Sequence, residues 1–457
     1  MDHTAPGEIS ATRTRARRHM LESRAAAYFQ FDQLGTNFRR EIVAGATTFV
    51  TMAYIIAVNP AILKAAGIPE GPSMVATVAT AIFGSLLMGL YANRPFAIAP
   101  YMGENAFVAY TVVRVLGFRW QTALGAVFIA GLLFAALTAA RVRQWMVEAV
   151  PTGLRASFAT GIGLFLAFIG LNESGIVALG GPGAPVRIGN IASPPVMVAA
   201  LAFVVIALLM IRRVPGSILL GIVLASLAAF ATRVARPPAA WVSIPPNPMP
   251  IVLKLDLHGA LGWDFFGVLL TIFVMALVDT MGTLLGVSAR AGLLDERGHL
   301  PQIERPMLAD ALATAFAALA GTTTAGAFIE SAAGVSAGGR SGMTAVVVAA
   351  LFALSLFFAP FVTAIPPQAY GPALIIVGAL MLESVTKIDF RDYTELIPAF
   401  ATIALMSFTY NLAVGITAGF VLYTLFKLGS GRAREIQPGL WVLALLSLMF
   451  FACYPYR

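Results

Sequence analysis

Apolar runs of 15–18 residues recur along this chain, as at 123–140, 196–210 and 346–362, with short polar stretches between them. Each is close to the length a helix needs to cross a hydrocarbon core of roughly 30 Å. Taken in order, the runs predict spans at 41–60, 72–92, 97–115, 119–140, 155–173, 195–212 and 216–232. A Pro-rich loop follows at 233–262, and then spans at 265–287, 308–320, 324–338, 342–364, 371–386, 393–410 and 411–428. The pattern therefore predicts an all-α polytopic membrane protein with fourteen transmembrane segments.

Two of these spans break the pattern. The third, FAIAPYMGENAF (96–107), is short, contains Pro and Gly, and carries Glu104. The tenth lies in GTTTAGAFIESAAGVSAGGRSG (321–342), is rich in glycine, and carries Glu330. Fourteen spans divide into seven and seven, and an odd number per half forces the halves into opposite orientations. With repeat starts near 41 and 265, the two glutamates fall 63 and 65 residues in (104 − 41 and 330 − 265). Interrupted segments at corresponding positions of two halves point to a transporter's binding site. The expected organisation is a basic tail at 1–40, a first inverted repeat at 41–232 and an extracytoplasmic loop at 233–264. A second repeat at 265–428 and a C-terminal tail at 429–457 complete it. The apolar tail segment 439–453 is about fifteen residues long, and we read it as a surface helix rather than a short span.

Composition strengthens this picture. Hydrophobic residues make up 59% of the 457 and charged residues 11%, with mean hydropathy +0.84, whereas soluble domains carry about 25% charged residues. The net charge of +8 is explained by cations on inner loops, including Arg94, Arg141, Arg143, Arg155, Arg212, Arg213, Arg290, Arg297, Arg305 and Arg340. Outer loops hold fewer, among them Lys64, Arg114, Arg119 and Arg187. This bias predicts a multi-pass protein of the plasma (inner) membrane with a cytoplasmic N-terminus, and no nucleic-acid partner. The basic cluster Arg13, Arg15, Arg17 and Arg18 is followed by no apolar signal core, so it is read as a tail. The single cysteine, Cys453, excludes an internal disulfide. None of the four lysines sits in a GxxxxGK[ST] loop, and the four histidines lie in tails or loops without metal-ligand spacing. ATP drive, metal chemistry, a cofactor and enzymatic activity are all unsupported.

The candidate chemistry lies in the broken spans and the eighth. A helix that stops inside the membrane leaves backbone N–H groups that lipid cannot satisfy, so such ends face protein, water or ligand. Ionisable groups at that depth cost at least about 2.5 kcal/mol and mark function by default. Glu330, Glu104 and Asp279 are the candidates, with Asn105 beside Glu104. Structural alternatives are a bond from Asp279 to Thr283, a Glu330–Arg340 pair, and a vestibule or capping role for Glu104. Glu383 beside Lys387 reads as a helix-surface pair. A carboxylate with a carboxamide matches the N–H and C=O groups on the edge of a planar heterocycle. Phe328 or Tyr101 could stack on its face. Glu330 and Asp279 are the proton-carrying candidates.

Over about 28–430 the chain resembles the adenine/guanine/hypoxanthine permease branch of the nucleobase–cation symporters. The residues that carry the resemblance are VAGATTFVTMAYIIAVNP (43–60), PYMGENAF (100–107), DTMGTLLGV (279–287), FIESAAGVSAGGRSGMTA (328–345) and PALIIVGALM (372–381). It implies a core of spans 1–4 and 8–11 that holds substrate, and a gate of spans 5–7 and 12–14. It also implies a purine site at Glu330, Phe328, Asn105 and Asp279. The chain departs from the family at Ala276, where relatives often carry a polar residue, and at Glu104, where many carry an apolar one. The expected function is proton-coupled import of a purine nucleobase, with the lipid bilayer as solvent and a homodimer as an open assembly. The alternative is an anion or carboxylate carrier on a similar scaffold.

Overall fold

The computed structural model of the chain describes residues 23–140, 150–180, 185–294 and 300–453. The basic cluster Arg13, Arg15, Arg17 and Arg18, with Arg141, Arg143 and Arg297, lies outside the described residues. Eight helical stretches are long and apolar enough to cross a membrane, and shorter apolar helices occur at 217–231, 263–277, 393–408 and 438–452. The third and tenth predicted spans are absent from both groups because each is part strand and part helix.

The first predicted span opens at Asn37, whose side chain accepts the Arg40 N–H at 3.0 Å and caps α1 (Phe38–Met52). The helix bends at Ala53 and Tyr54 and continues as α2 (Ile55–Lys64), which contains Pro60. There follow α3 (Glu70–Leu86), β1 (Ile98–Pro100), and α4 (Met102–Ala106), extended by a π-helical stretch at Phe107–Val115. The rest of the first half is α5 (Trp120–Ala139), α6 (Thr152–Glu173), α7 (Pro194–Ile211) and α8 (Ser217–Ala231). The second half runs α9 (Phe266–Ala291), α10 (Glu304–Ala320), β2 (Ala325–Ala327), α11 (Ser331–Ser336) and α12 (Met343–Ser355). It continues with α13 (Pro367–Met381), α14 (Tyr393–Phe408) and α15 (Leu412–Gly429), and α16 (Pro438–Cys453) ends the chain. Both halves thus give strand and then short helix at the interrupted position.

Packing sorts the helices into two groups. In one, α5 lies along α10, while α12 lies along α1 and α3. In the other, α6 lies along α13 and α14, and α7 and α8 pack on each other and on α13. Small residues allow the close approaches. A Cβ on Gly163 would stand 2.7 Å from the Gly378 carbonyl oxygen, and one on Gly170 would stand 2.5 Å from that of Gly371. These two pairs, seven residues apart on each helix, let α6 and α13 run antiparallel at backbone contact.

The tail segment forms α16, which packs against α15 and α9. It buries Leu440, Leu443 and Phe450 and leaves Trp441, Val442, Leu445 and Leu448 exposed. Its one polar side chain inside the helix, Ser447, is buried and donates back to the Leu443 carbonyl at 2.7 Å. The helix is therefore apolar on both faces.

Candidate functional site

The two broken spans meet. β1 and β2 pair antiparallel, with Ile98 opposite Ala327, Ala99 opposite Gly326 and Pro100 opposite Ala325. The ladder extends at both ends, since Tyr101 N–H donates to the Thr324 carbonyl and Phe328 N–H to the Ala97 carbonyl, each at 2.9 Å. Two three-residue strands satisfy little by themselves, so neighbouring side chains complete the backbone bonding. The Ser85 hydroxyl accepts the Ile98 N–H at 3.0 Å and lies 3.2 Å from the Ile98 carbonyl. The Thr314 hydroxyl does the same for Ala325, donating to its carbonyl at 2.7 Å and accepting its N–H at 3.3 Å. Ser85 stands on α3 and Thr314 on α10, and each serves the first residue of a strand. Further bonds come from Ser331 Oγ, which accepts the Ala97 N–H at 3.0 Å, and Asp310 Oδ1, which accepts the Ala327 N–H at 3.1 Å. The crossing leaves no room: a Cβ on Gly326 would lie 2.2 Å from Tyr101 Oη and 2.4 Å from Asp310 Oδ1.

Around this crossing the candidate residues fall into three groups. In the first, Glu330 follows β2 at the start of α11, and the Tyr54 hydroxyl donates to its Oε1 at 2.7 Å. In the second, the buried Asn105 donates its amide to Asn59 Oδ1, and Asn59 in turn donates to Thr77 Oγ1 at 2.7 Å and Thr322 Oγ1 at 3.2 Å. Asn105 Oδ1 has no hydrogen-bond partner among the described residues. In the third, the Glu104 carboxyl is fully buried, its two oxygens have no hydrogen-bond partner among the described residues, and the carboxyls of Asp279 and Asp310 are its acidic neighbours. The Thr280 hydroxyl donates to Asp310 Oδ2 at 2.7 Å. No lysine or arginine side chain pairs with Glu104 or Asp279 among the described residues.

The rings of Tyr101 and Phe328 close one wall. They are nearly parallel, 9° apart, with centroids 6.1 Å from each other. Both are largely buried, whereas Ile329 beside them is 64% exposed. Glu330 is hydrogen-bonded to neither Asn105 nor Asp279 among the described residues, so the three groups surround the strand crossing as separate contacts. Ala276 is buried on α9.

The structural pairing of Glu330 with Arg340 is not formed. Arg340 instead gives its guanidinium to the Val335 and Gly339 carbonyls, both at 2.8 Å, at the end of α11. Its backbone N–H goes to Glu41, a buried carboxylate that also accepts from the Thr344 hydroxyl at 2.6 Å. Residues that the sequence did not single out are Tyr54, Asn59 and Asp310. Asp310 carried a signal, being an acid in the alanine-rich stretch LADALATAFAALA (308–320). Tyr54 and Asn59 carried none beyond being polar groups in an apolar run.

Opposed half-spans with strands crossing at their junction, flanked by two helix groups, define a polytopic membrane transporter fold. The solved transmembrane domain of a cyanobacterium bicarbonate transporter, BicA, is similar to this chain with a TM-score of 0.59 at 15% identity, covering 83% of this chain and 96% of that one. The family model Xan_ur_permease, described as the permease family, matches residues 39–421, and the chain belongs to this family. Among curated relatives, the adenine permease AdeP of Escherichia coli (strain K12) is 40% identical over 421 residues, 92% of this chain and 94% of that protein. The guanine/hypoxanthine permease PbuO of Bacillus subtilis (strain 168) is 41% identical over 430 residues, 92% of this chain and 98% of that protein. The chain is a permease and not an enzyme.

Proposed function

We propose that this permease is a secondary active importer of purine nucleobases, driven by protons and working by alternating access. The observation that carries the reading is the strand crossing, which sets a carboxylate (Glu330), a buried carboxamide (Asn105) and a parallel aromatic pair around one junction. Relatives named as adenine and guanine/hypoxanthine permeases match over more than nine-tenths of their length, which supports a purine as cargo. The Tyr101–Phe328 centroid separation of 6.1 Å is just under the roughly 7 Å that two stacked van der Waals contacts occupy. A small parting of these rings admits a planar base between them.

Binding then uses Glu330 to accept an N–H of the base and Asn105 Oδ1 to accept another. Coupling uses Glu104 and Asp279. Two neighbouring buried carboxyls repel when both are charged, so a proton on one of them relieves the site, and no lysine or arginine pairs with either among the described residues. Proton release and rebinding at this pair, as the cavity opens to one side and then the other, links the gradient to transport. The helix group containing α1–α5 and α9–α12 would move as the core against the gate of α6–α8 and α13–α15. An anion as cargo is disfavoured, because Glu330, Glu104, Asp279 and Asp310 would repel it.

The test is uptake of labelled adenine, guanine, hypoxanthine, xanthine and uracil into cells displaying the protein, with and without a protonophore. Purine accumulation that collapses with the protonophore is expected. Absence of uptake of every base overturns the substrate class, and protonophore-resistant accumulation overturns the coupling. Glu330→Gln is expected to abolish high-affinity uptake while surface expression persists.

A further inference from the structure

Two clusters of ion pairs mark opposite ends of the helix bundle. At one end Lys427, in the last turn of α15, lies 2.9 Å from Glu435, and Arg432 lies 2.5 Å from Asp392, which caps α14. At the other end Arg119 lies 3.4 Å from Asp256. The helices α14 and α15 run between these ends. Tyr410, in the turn that joins them, accepts on its carbonyl from the Thr111 hydroxyl at 2.6 Å, on the stretch leading to Arg119. Arg114, on that same stretch, donates to the Ala65 carbonyl at 2.9 Å just past α2, so α1 starts at the Lys427 end.

The tail helix α16 makes the same crossing. Pro438 comes three residues after Glu435, so the helix starts at the Lys427 end. Near its far terminus Phe450 packs on α9 at Gly267, so closely that no Cβ fits there. Gly267 lies two residues from Phe265, whose ring meets that of Phe118 edge-on with centroids 4.8 Å apart. Phe118 adjoins Arg119, so this contact belongs to the other end. The 16 residues of α16 rise about 24 Å, and α14, also 16 residues, covers the same distance. Shortness therefore does not confine α16 to the surface. A helix lying in the interface needs a polar face. Residues 438–453 hold no charged side chain, and their one hydroxyl, that of Ser447, is buried. Trp441, Val442, Leu445 and Leu448 form the exposed face. The cleft between α16 and helices α5 and α9 is equally apolar, with Leu133, Leu270, Phe273 and Leu446 in its walls.

We infer that α16 is a fifteenth transmembrane span whose exposed face is covered by lipid acyl chains, with the cleft beside it open to the same hydrocarbon. The inference does not depend on the cargo. An odd number of spans sets the residues after 453 on the membrane face opposite Asn37. The span also bears on α15 in one helix group and on α9 in the other, so lipid at this face contacts both bodies.

The experiment reads side and environment separately. In a Cys453→Ser background, which removes the chain's one cysteine, the exposed Gln33 and the terminal Arg457 are changed singly, as Gln33→Cys and Arg457→Cys. An impermeant maleimide is applied to right-side-out and to inverted vesicles. Each variant is expected to react in one vesicle type only, and the two in opposite types. Reaction of both from the same side overturns the inference, and so does a failure of Arg457→Cys to react from either side before detergent is added. Nitroxide labels on Val442→Cys, Leu445→Cys and Leu448→Cys then report what covers the face. Collisions with oxygen are expected to exceed those with a water-soluble nickel chelate at all three positions. Dominant nickel collisions show a helix lying in the interface, and loss of both kinds shows a second copy or another protein on the face; either overturns the inference. Should a nitroxide variant fail to insert, the maleimide pattern decides alone.

Discussion

One of the contacts between the two helix groups is made through a carboxylate, and removing half of it is expected to shift the balance between transport states. Glu173, the last residue of α6, accepts from the Tyr110 hydroxyl at 2.9 Å and from the Tyr370 hydroxyl at 3.1 Å. Tyr110 belongs to the π-helical extension of the third span and so to the core, whereas Glu173 and Tyr370 both belong to the gate. Of these two bonds the Tyr110 one crosses the boundary, beside a second crossing bond from the Thr111 hydroxyl to the Tyr410 carbonyl at 2.6 Å. The aromatic collar around it includes Tyr410, whose ring packs on Tyr110, Phe165 and Phe168. A hydrogen bond to a charged group contributes about 1.5–3 kcal/mol, and the partial exposure of Glu173 places this one near the lower end. About 1.4 kcal/mol corresponds to a tenfold change in an equilibrium constant. Tyr110→Phe is therefore expected to raise the population of the opposite-facing conformer roughly tenfold.

The assay uses the chain's single cysteine. Replacing Cys453 by Ser gives a cysteine-free background, and Ile329→Cys places a reporter at the exposed position beside the candidate site. An impermeant maleimide applied to right-side-out and inverted vesicles then reads each conformer from its own side. With Tyr110→Phe, labelling from the less accessible side is expected to accelerate about tenfold. Tyr370→Phe deletes a similar bond within the gate and is expected to change the rate less than twofold. An equal response to both substitutions, or none to Tyr110→Phe, refutes the assignment of that bond to the moving boundary.

Three further outcomes test other parts of the reading. Gly326→Ala forces a methyl group against Tyr101 and Asp310 at the strand crossing, an overpacking that costs about 1–3 kcal/mol, and is expected to lower both thermal stability and uptake at normal expression; wild-type uptake would show that the crossing can relax. Asp279→Asn removes one member of the carboxyl pair and is expected to eliminate uphill accumulation while leaving base exchange measurable by counterflow; retained uphill accumulation would remove Asp279 from the coupling. Asp392 accepts from the Thr394 hydroxyl at 2.6 Å and from Arg432 at 2.5 Å, with Lys427 nearby, and these partners hold its carboxyl well below the usual carboxylate range. Its folded-state value lies under the unfolded one of about 3.9, so its contribution is complete above about pH 5 and is lost as pH falls through the folded value. Asp392→Asn should lower the melting temperature at pH 7, by an amount that shrinks as the pH is taken below 4; a pH-independent difference would contradict the ion-pair account.

The sequence announced the broken spans because glycine, proline and acids inside hydrocarbon are costly, and costly residues stand out. Glu330, Glu104 and Asp279 stand out that way, with Asn105 beside Glu104, and the matching offsets of the two glutamates already relate the two half-spans. The strands themselves were illegible. Three residues such as Ile98–Pro100 hold one and a half periods of alternation, too few to separate a strand from a loop. Tyr54 and Asn59 were equally silent, because a hydroxyl or amide in a span is ordinary and only its partner gives it a role. Asn59 finds Thr77 and Thr322, whose positions depend on the fold of both halves.

Ser85 and Thr314 carry the argument for symmetry further than the glutamates do. Each sits on the helix preceding its broken span, and each uses one hydroxyl to serve both the N–H and the carbonyl of the first residue in the strand that follows. The flanking sequences FGSLL and LATAF share no identity beyond small and apolar character. What the two halves retain in common is a requirement: a strand lying inside the membrane has backbone groups that lipid cannot satisfy, and a short hydroxyl on the adjacent helix satisfies two of them at once. The acids did not follow the same rule. Glu104 is buried with acidic neighbours and no hydrogen-bond partner among the described residues, whereas Glu330 accepts from a tyrosine hydroxyl, so equivalent positions in the two halves hold different kinds of contact. Symmetry in this fold resides in the backbone that must be satisfied, and under the proposed mechanism the division between proton and cargo would reside in how its two halves differ.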